Sequence, residues 1–197
     1  MAAPDISRLI ELQKLLAQFR AVKRAVPYPG NPPECESDTE HSFNLAIAAW
    51  YLSPHFPEID RDQAIHFALL HDMVEVYAGD TFAFVDGQAL ADKQTREHAA
   101  LQRLTKEWAD FPEMLEAITQ YERKDTPDAQ FVYALDKIMP AILNYIGGGI
   151  AWREHNITFE KFQAEKERKI PKDSPMYAYY EAIRDLLRDH PEMFAHQ

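Results

Sequence analysis

Apolar residues along this chain recur every three or four positions in stretches separated by short polar, proline-bearing breaks, which is the pattern of a helical protein. Leu9, Leu12, Leu15, Leu16 and Phe19 predict a first helix over residues 5–26, with Asp5 as its N-cap. The segment PYPGNPPECE (27–36) carries prolines that cannot continue it. Ser37 followed three positions later by Glu40 has the form of a capping box and opens a second helix. Its run FNLAIAAWYL (43–52) is apolar on every side, which predicts a buried central helix. Asp60 is placed to cap a third helix over 60–78, with Gly79 as its stop. An amphipathic helix over 87–109 and a shorter one over 112–122 follow. A sixth is opened by Thr126-Pro127 and ended by Gly147-Gly148-Gly149, and two more cover 158–169 and 174–189. No segment alternates with period two. The pattern therefore predicts an all-α fold in a single domain over 1–197, with a helical core at about 7–150 and peripheral C-terminal helices over 151–197.

Composition narrows the functional classes. A net charge of −11 argues against nucleic acid as a partner, because phosphate backbones recruit Lys and Arg. It leaves room for a small anionic substrate, since a metal and a few local cations can invert the charge of one pocket. The lone Cys35 excludes a disulfide framework within the chain and points to a reducing compartment. There is no signal-peptide layout at the start and no apolar run near the ~20 residues that span a bilayer. A soluble, cytoplasmic protein without a membrane partner is the expectation.

The candidate chemistry lies in polar residues that interrupt apolar helices. In FALLHDMVEVYAGD (67–80), His71 and Glu75 are four apart and share a face, with Asp72 beside them. His41 sits in the first turn of the second helix. Asp136 lies on the Val132, Met139, Leu143 stripe of the sixth, four residues before Pro140, which cannot donate to its carbonyl. Burying ionised groups without partners costs several kcal/mol, so such groups are paired, protonated or bound to a metal. Two imidazoles and two carboxylates suit one divalent transition metal, Mn, Co, Fe, Ni or Zn, better than Mg or Ca. A metal of that kind lowers the pKa of a water and makes it a hydrolytic nucleophile at neutral pH. Glu75 is placed to take the water's proton or to hand one to a leaving group.

The motifs EHS (40–42), HDMVE (71–75), GDT (79–81) and ALDKI (134–138) resemble the HD-domain metal-dependent phosphohydrolases in order, spacing and helix placement, from about residue 7 to 150. Within that superfamily the chain is most similar to the bacterial 5′-deoxynucleotidase branch, whose members dephosphorylate deoxynucleoside monophosphates. The resemblance implies a single HD-domain helical bundle with His41, His71, Asp72 and Asp136 as metal ligands. It implies Glu75 as the water-activating residue and Asp80 as a second catalytic carboxylate, with Thr81 beside it. The branch carries an Arg-Trp pair that contacts phosphate and sugar. Here Arg24 is followed by Ala25, so the arginine keeps the phosphate role and the aromatic that favours deoxyribose is missing. Lys93 is a candidate phosphate contact, beside its alternative as a solvated lysine. The resemblance also implies a homodimer, for which Tyr177, Tyr179 and Tyr180 are candidate surface residues. The leading expectation is a 5′-nucleotidase acting on a nucleoside monophosphate. The alternatives are a nucleotide phosphodiesterase or triphosphohydrolase on the same metal site, and a non-catalytic nucleotide-binding protein.

Overall fold

A computed structural model describes residues 6–30, 34–84 and 87–196; Asp5, Pro32 and Pro33 lie outside them. The helices are α1 (Ile6–Ala21), α2 (Asp38–Leu52), α3 (Arg61–Leu70), α4 (Glu75–Ala78), α5 (Gly87–Glu107), α6 (Pro112–Arg123), α7 (Pro127–Ile146), α8 (Ile150–Glu154), α9 (Phe159–Lys169) and α10 (Tyr177–Arg188). No helix among the described residues is long and apolar enough to cross a membrane.

The local signals act as their chemistry demands. The Ser37 hydroxyl accepts from the Glu40 amide while the Glu40 carboxylate accepts from the Ser37 amide at 2.8 Å, a reciprocal cap for α2. Asp60 caps α3 through the amides of Asp62 and Gln63, and Thr126 caps α7 with Pro127 in its first turn. α7 runs unbroken through Pro140. Gly149 has φ +76°, and a Cβ there would come within 2.2 Å of the Met193 carbonyl oxygen, so only glycine fits between α7 and α8.

α2, α3 and α7 pack around one main core that includes Leu45, Phe67, Phe131 and Leu135. Trp152, Phe162, Tyr180 and Leu187 from α8, α9 and α10 are buried in that same core. A second cluster, with Phe19, Val74, Leu104 and Trp108, joins α1, α5 and α6 to the segment after α3. The turn at residues 71–74 thus lies between two cores.

Several features differ from the sequence-based expectation. The first helix stops at Ala21, and residues 23–27 form a strand, β1 (Lys23–Pro27), paired antiparallel with β2 (Cys35–Ser37). These strands are too short and irregular for alternation to reveal them. The third helix breaks after Leu70, where Met73, Glu75 and Val76 bond three residues back instead of four, so the chain tightens through residues 71–77. Finally, α2 is not buried all round. Phe43, Ile47, Trp50 and Tyr51 stand exposed along one face, Tyr51 at 75 %. Tyr180, a candidate surface residue, is fully buried.

Candidate metal and phosphate site

Three elements converge between the cores and supply four residues. α2 supplies His41 from its first turn, the tightened segment after α3 supplies His71 and Asp72, and α7 supplies Asp136. One ligand atom from each of the four lies within 4.8 Å of all the others. Atoms held about 2.1 Å from a common ion stand ~3 Å apart when adjacent and ~4.2 Å when opposed, and the individual separations in the cluster fall in that range. His41 Nε2 is 3.0 Å from Asp136 Oδ1, and His71 Nε2 is 2.9 Å from Asp72 Oδ2 and 3.7 Å from Asp136 Oδ1.

The donor chemistry fits a cation. His71 Nδ1 donates to the Ala68 carbonyl at 2.9 Å, which leaves the Nε2 lone pair turned into the cluster. That Nε2 is buried without a well-formed hydrogen bond. Glu36 Oε2 sits 3.3 Å from His41 Nδ1, on the side of the ring away from the cluster, as a carboxylate orienting a ligating imidazole does. In the metal-free protein a proton must do the work of the cation. Burial alone would lower His71, but Asp72 and Asp136 outweigh it and lift the imidazole to about 10. Burial works to raise Asp72 and Asp136, yet the neighbouring His71 with Arg24, and Lys137 with His41, hold them well below the usual carboxylate range.

A pocket of about 870 Å³, counted with its open mouth, lies in front of this cluster. Arg24, Glu75, Asp80, Thr81 and Lys93 all line it beside Asp72 and Asp136, so the residues expected from sequence come together. Arg24 on β1 donates to Asp72 at 2.6 Å and Asp38 at 3.3 Å, with Glu36 3.8 Å away. Thr81 accepts from Arg96 at 2.7 Å. Lys93 on α5 lies 3.6 Å from Glu75 and 3.2 Å from Glu97, so it is a pocket cation and not a solvated bystander. Asp38, Glu75 and Asp80 form a second carboxylate group within 4.8 Å. Burial, and then repulsion from Asp72, raise Glu75 to about 11 and Asp38 to about 7. Burial also raises Asp80, with Arg24 opposing it. These three share protons because crowded carboxylates cannot all ionise.

Sequence reasoning missed Glu36, Asp38, Lys137 and Lys166. Glu36 sits in a proline-rich stretch, and Asp38 reads as an ordinary first-turn acid. Lys137, which binds Asp136 from the next position, was visible inside ALDKI. Lys166 reads as one more charge on a polar helix.

The HD domain family model matches residues 16–177. The chain belongs to the HD domain family. Among relatives of this HD domain, the 5′-deoxynucleotidase HDDC2 of Xenopus laevis is 30% identical over 131 residues, 66% of this chain and 64% of that protein. The 5′-deoxynucleotidase hdd1 of Schizosaccharomyces pombe is 26% identical over 108 residues, 52% of this chain and 53% of that protein. The matched stretches span from about half to somewhat under two thirds of the length of these relatives. A solved structure described as a predicted metal-dependent phosphohydrolase of Magnetospirillum magnetotacticum superposes with a TM-score of 0.77 at 27% identity, over 96% of this chain and 100% of that one. The PH0347 protein of Pyrococcus horikoshii shares the fold with a TM-score of 0.60.

Proposed function

We propose that this HD domain protein is a metal-dependent phosphomonoesterase of the 5′-deoxynucleotidase type, releasing phosphate from (deoxy)nucleoside monophosphates. The observation that carries this reading is the pair of buried imidazoles whose Nε2 atoms face Asp72 and Asp136 at the floor of a cation-lined pocket. The names of the relatives point the same way.

In this reading His41, His71, Asp72 and Asp136 hold one divalent transition metal. When bound, that ion supplies Lewis acidity toward the phosphoryl oxygens and makes water more acidic. Arg24, Lys93 and Lys137 offset the charge of the arriving phosphate from three different elements. Once a bound cation offsets the surrounding carboxylates that hold Glu75 protonated, Glu75 would ionise and take the proton from the attacking water, and Asp80 would position that water or pass a proton to the leaving alkoxide. Thr81, held by Arg96, orients the Asp80 end of the pocket. The aromatic rings of Phe82 and Trp152 give the nucleoside an apolar wall.

The protein works as a homodimer in this proposal. The stripe Phe43, Ile47, Trp50 and Tyr51 follows helical spacing on one side of α2, and an exposed apolar patch of that kind is a common association surface. It stands beside the exposed Tyr179 of α10 as a candidate interface, whereas Tyr180 is buried. Its place in the cell is proposed as the cytoplasm, on the strength of the single free cysteine.

The test is phosphate release from a panel of ribo- and deoxyribonucleoside mono-, di- and triphosphates, with Mn, Co, Fe, Ni and Zn supplied separately. The reading expects turnover of monophosphates that depends on one or more of these ions and is abolished by chelation. Turnover confined to triphosphates, or to a nucleotide diester added to the panel, would replace it with the triphosphohydrolase or phosphodiesterase alternative.

A further inference from the structure

The pocket has a second wall of charge that no catalytic role above uses. α9 is capped by Thr158, and it packs against α7 and α10 with Phe162 in the core. Phe162 and Lys166 are four apart, and Lys169 follows three later, so all three lie along one side of the helix and line the pocket. Lys166 is 6% exposed.

The other cations lining this pocket have carboxylates in hand. Arg24 meets Asp72 and Asp38, Lys93 meets Glu75 and Glu97, Lys137 meets Asp136, and Lys169 meets Glu165 at 2.6 Å. Lys166 has no ion pair among the described residues, and its ammonium lies 5.9 Å from the Phe162 ring. An ammonium buried beside an aromatic ring with no counter-ion is costly, which is why buried lysines are ordinarily paired. Burial first, then Lys137 and Lys169, push the Lys166 amine down to about 7, and Asp136 and Glu165 offset this only in part. An oxyanion entering the pocket therefore finds four cations already engaged and one that is not.

We propose that Lys166, backed by Lys169 and Lys137, forms an anion subsite contributed by α9 that receives a phosphate-type oxyanion of the substrate. The inference rests on the phosphohydrolase reading for what the anion is part of. Two sources share this chemistry: the scissile phosphate itself, or a second anionic group carried elsewhere on the substrate.

The experiment uses the full chain with Lys166→Met, which keeps the length of the side chain and removes the buried charge, so folding should be preserved or improved. Lys166→Gln is the second variant. Inorganic phosphate is titrated calorimetrically onto chelator-treated wild type and variants. A charge-assisted hydrogen bond is worth a factor of roughly 10–100, so the dissociation constant should rise at least about tenfold in both variants, at unchanged or higher melting temperature. Equal phosphate affinity in wild type and folded variants, or no binding by wild type at millimolar phosphate, would overturn the subsite. In a kinetic arm, kcat/KM is compared for dAMP and 2′-deoxyadenosine 3′,5′-bisphosphate. Equal losses on both assign Lys166 to the scissile phosphate; a loss confined to the bisphosphate assigns it to a second anion; no loss on either overturns the proposal. If wild type hydrolyses neither, the phosphohydrolase reading fails for these substrates while the calorimetric arm still decides on Lys166.

Discussion

Replacing Glu75 with glutamine should stabilise the metal-free protein, and the gain should grow with pH. The Glu75 side chain is 4% exposed, its Oε2 is buried with no hydrogen-bond partner, and its nearest cation is Lys93 at 3.6 Å. Burial, followed by Asp72, Asp80 and Asp38, raises the carboxyl to about 11. The folded protein therefore keeps a proton that the unfolded chain releases near its ordinary pKa of about 4.3. The stability associated with that proton is fully present below the unfolded value and drains away as pH rises toward the folded value, at ~1.4 kcal/mol per pH unit. At pH 7 the loss for an isolated carboxyl would be roughly 4 kcal/mol. Asp38 and Asp80 share the same protons, so about 1–3 kcal/mol is assigned to Glu75. Glutamine has the same shape, does not ionise, and places its amide within reach of the Asp38 and Asp80 carboxylates. For a chain of this length ~1 kcal/mol moves the melting temperature by 2–4 °C, so a gain of roughly 2–12 °C is expected at pH 7. The assay is thermal unfolding of wild type and Glu75→Gln in chelator at pH 5, 6.5 and 8. The gap should be small at pH 5 and widen steadily. A gap that does not change with pH, or a variant that melts below wild type at pH 8, would refute the reasoning.

Glu75→Ala should retain its metal while kcat falls on the order of 10²-fold or more, the scale of a lost general acid–base group; metal loss would make Glu75 a ligand. Ala25 lines the pocket, as its position after Arg24 led one to expect, whereas Trp50 is exposed and does not line it. With no aromatic at that position, wild type should prefer dAMP over AMP by less than ~10³-fold in kcat/KM, and Ala25→Trp should sharpen the preference. An unchanged ratio in Ala25→Trp would show that residue 25 does not sense the sugar. Trp50→Glu combined with Tyr51→Lys should convert a dimer to a monomer in light scattering, and an unaltered mass would place the interface elsewhere.

What could be read from the sequence was the part set by near neighbours. The caps at Ser37, Asp60 and Thr126 act within three residues, and the oddity of His71, Asp72 and Asp136 inside apolar helices needs only the cost of burying charge. What could not be read depends on distant packing. Nothing in LLHDMVEV (69–76) announces that the chain tightens between two cores, which sets how His71 and Asp72 are presented. Glu36 matters only because the ribbon folds it onto His41. The apolar run of α2 has the same periodicity whether its outer face is covered by this chain or by another molecule. Lys166 becomes a buried cation only when α9 docks on α7, and the local sequence EKFQAEKERK reads as an exposed helix.

The central claim is that His41, His71, Asp72 and Asp136 hold the ion on which hydrolysis depends. Metal content by inductively coupled plasma mass spectrometry, paired with phosphate release from deoxynucleoside monophosphates on the same samples, tests it most directly in wild type, His71→Ala and Asp72→Ala. The account predicts about one equivalent of a divalent transition metal and turnover in wild type, with both lost together in each variant that remains folded. A folded His71→Ala or Asp72→Ala protein that kept stoichiometric metal and near-normal turnover would contradict it.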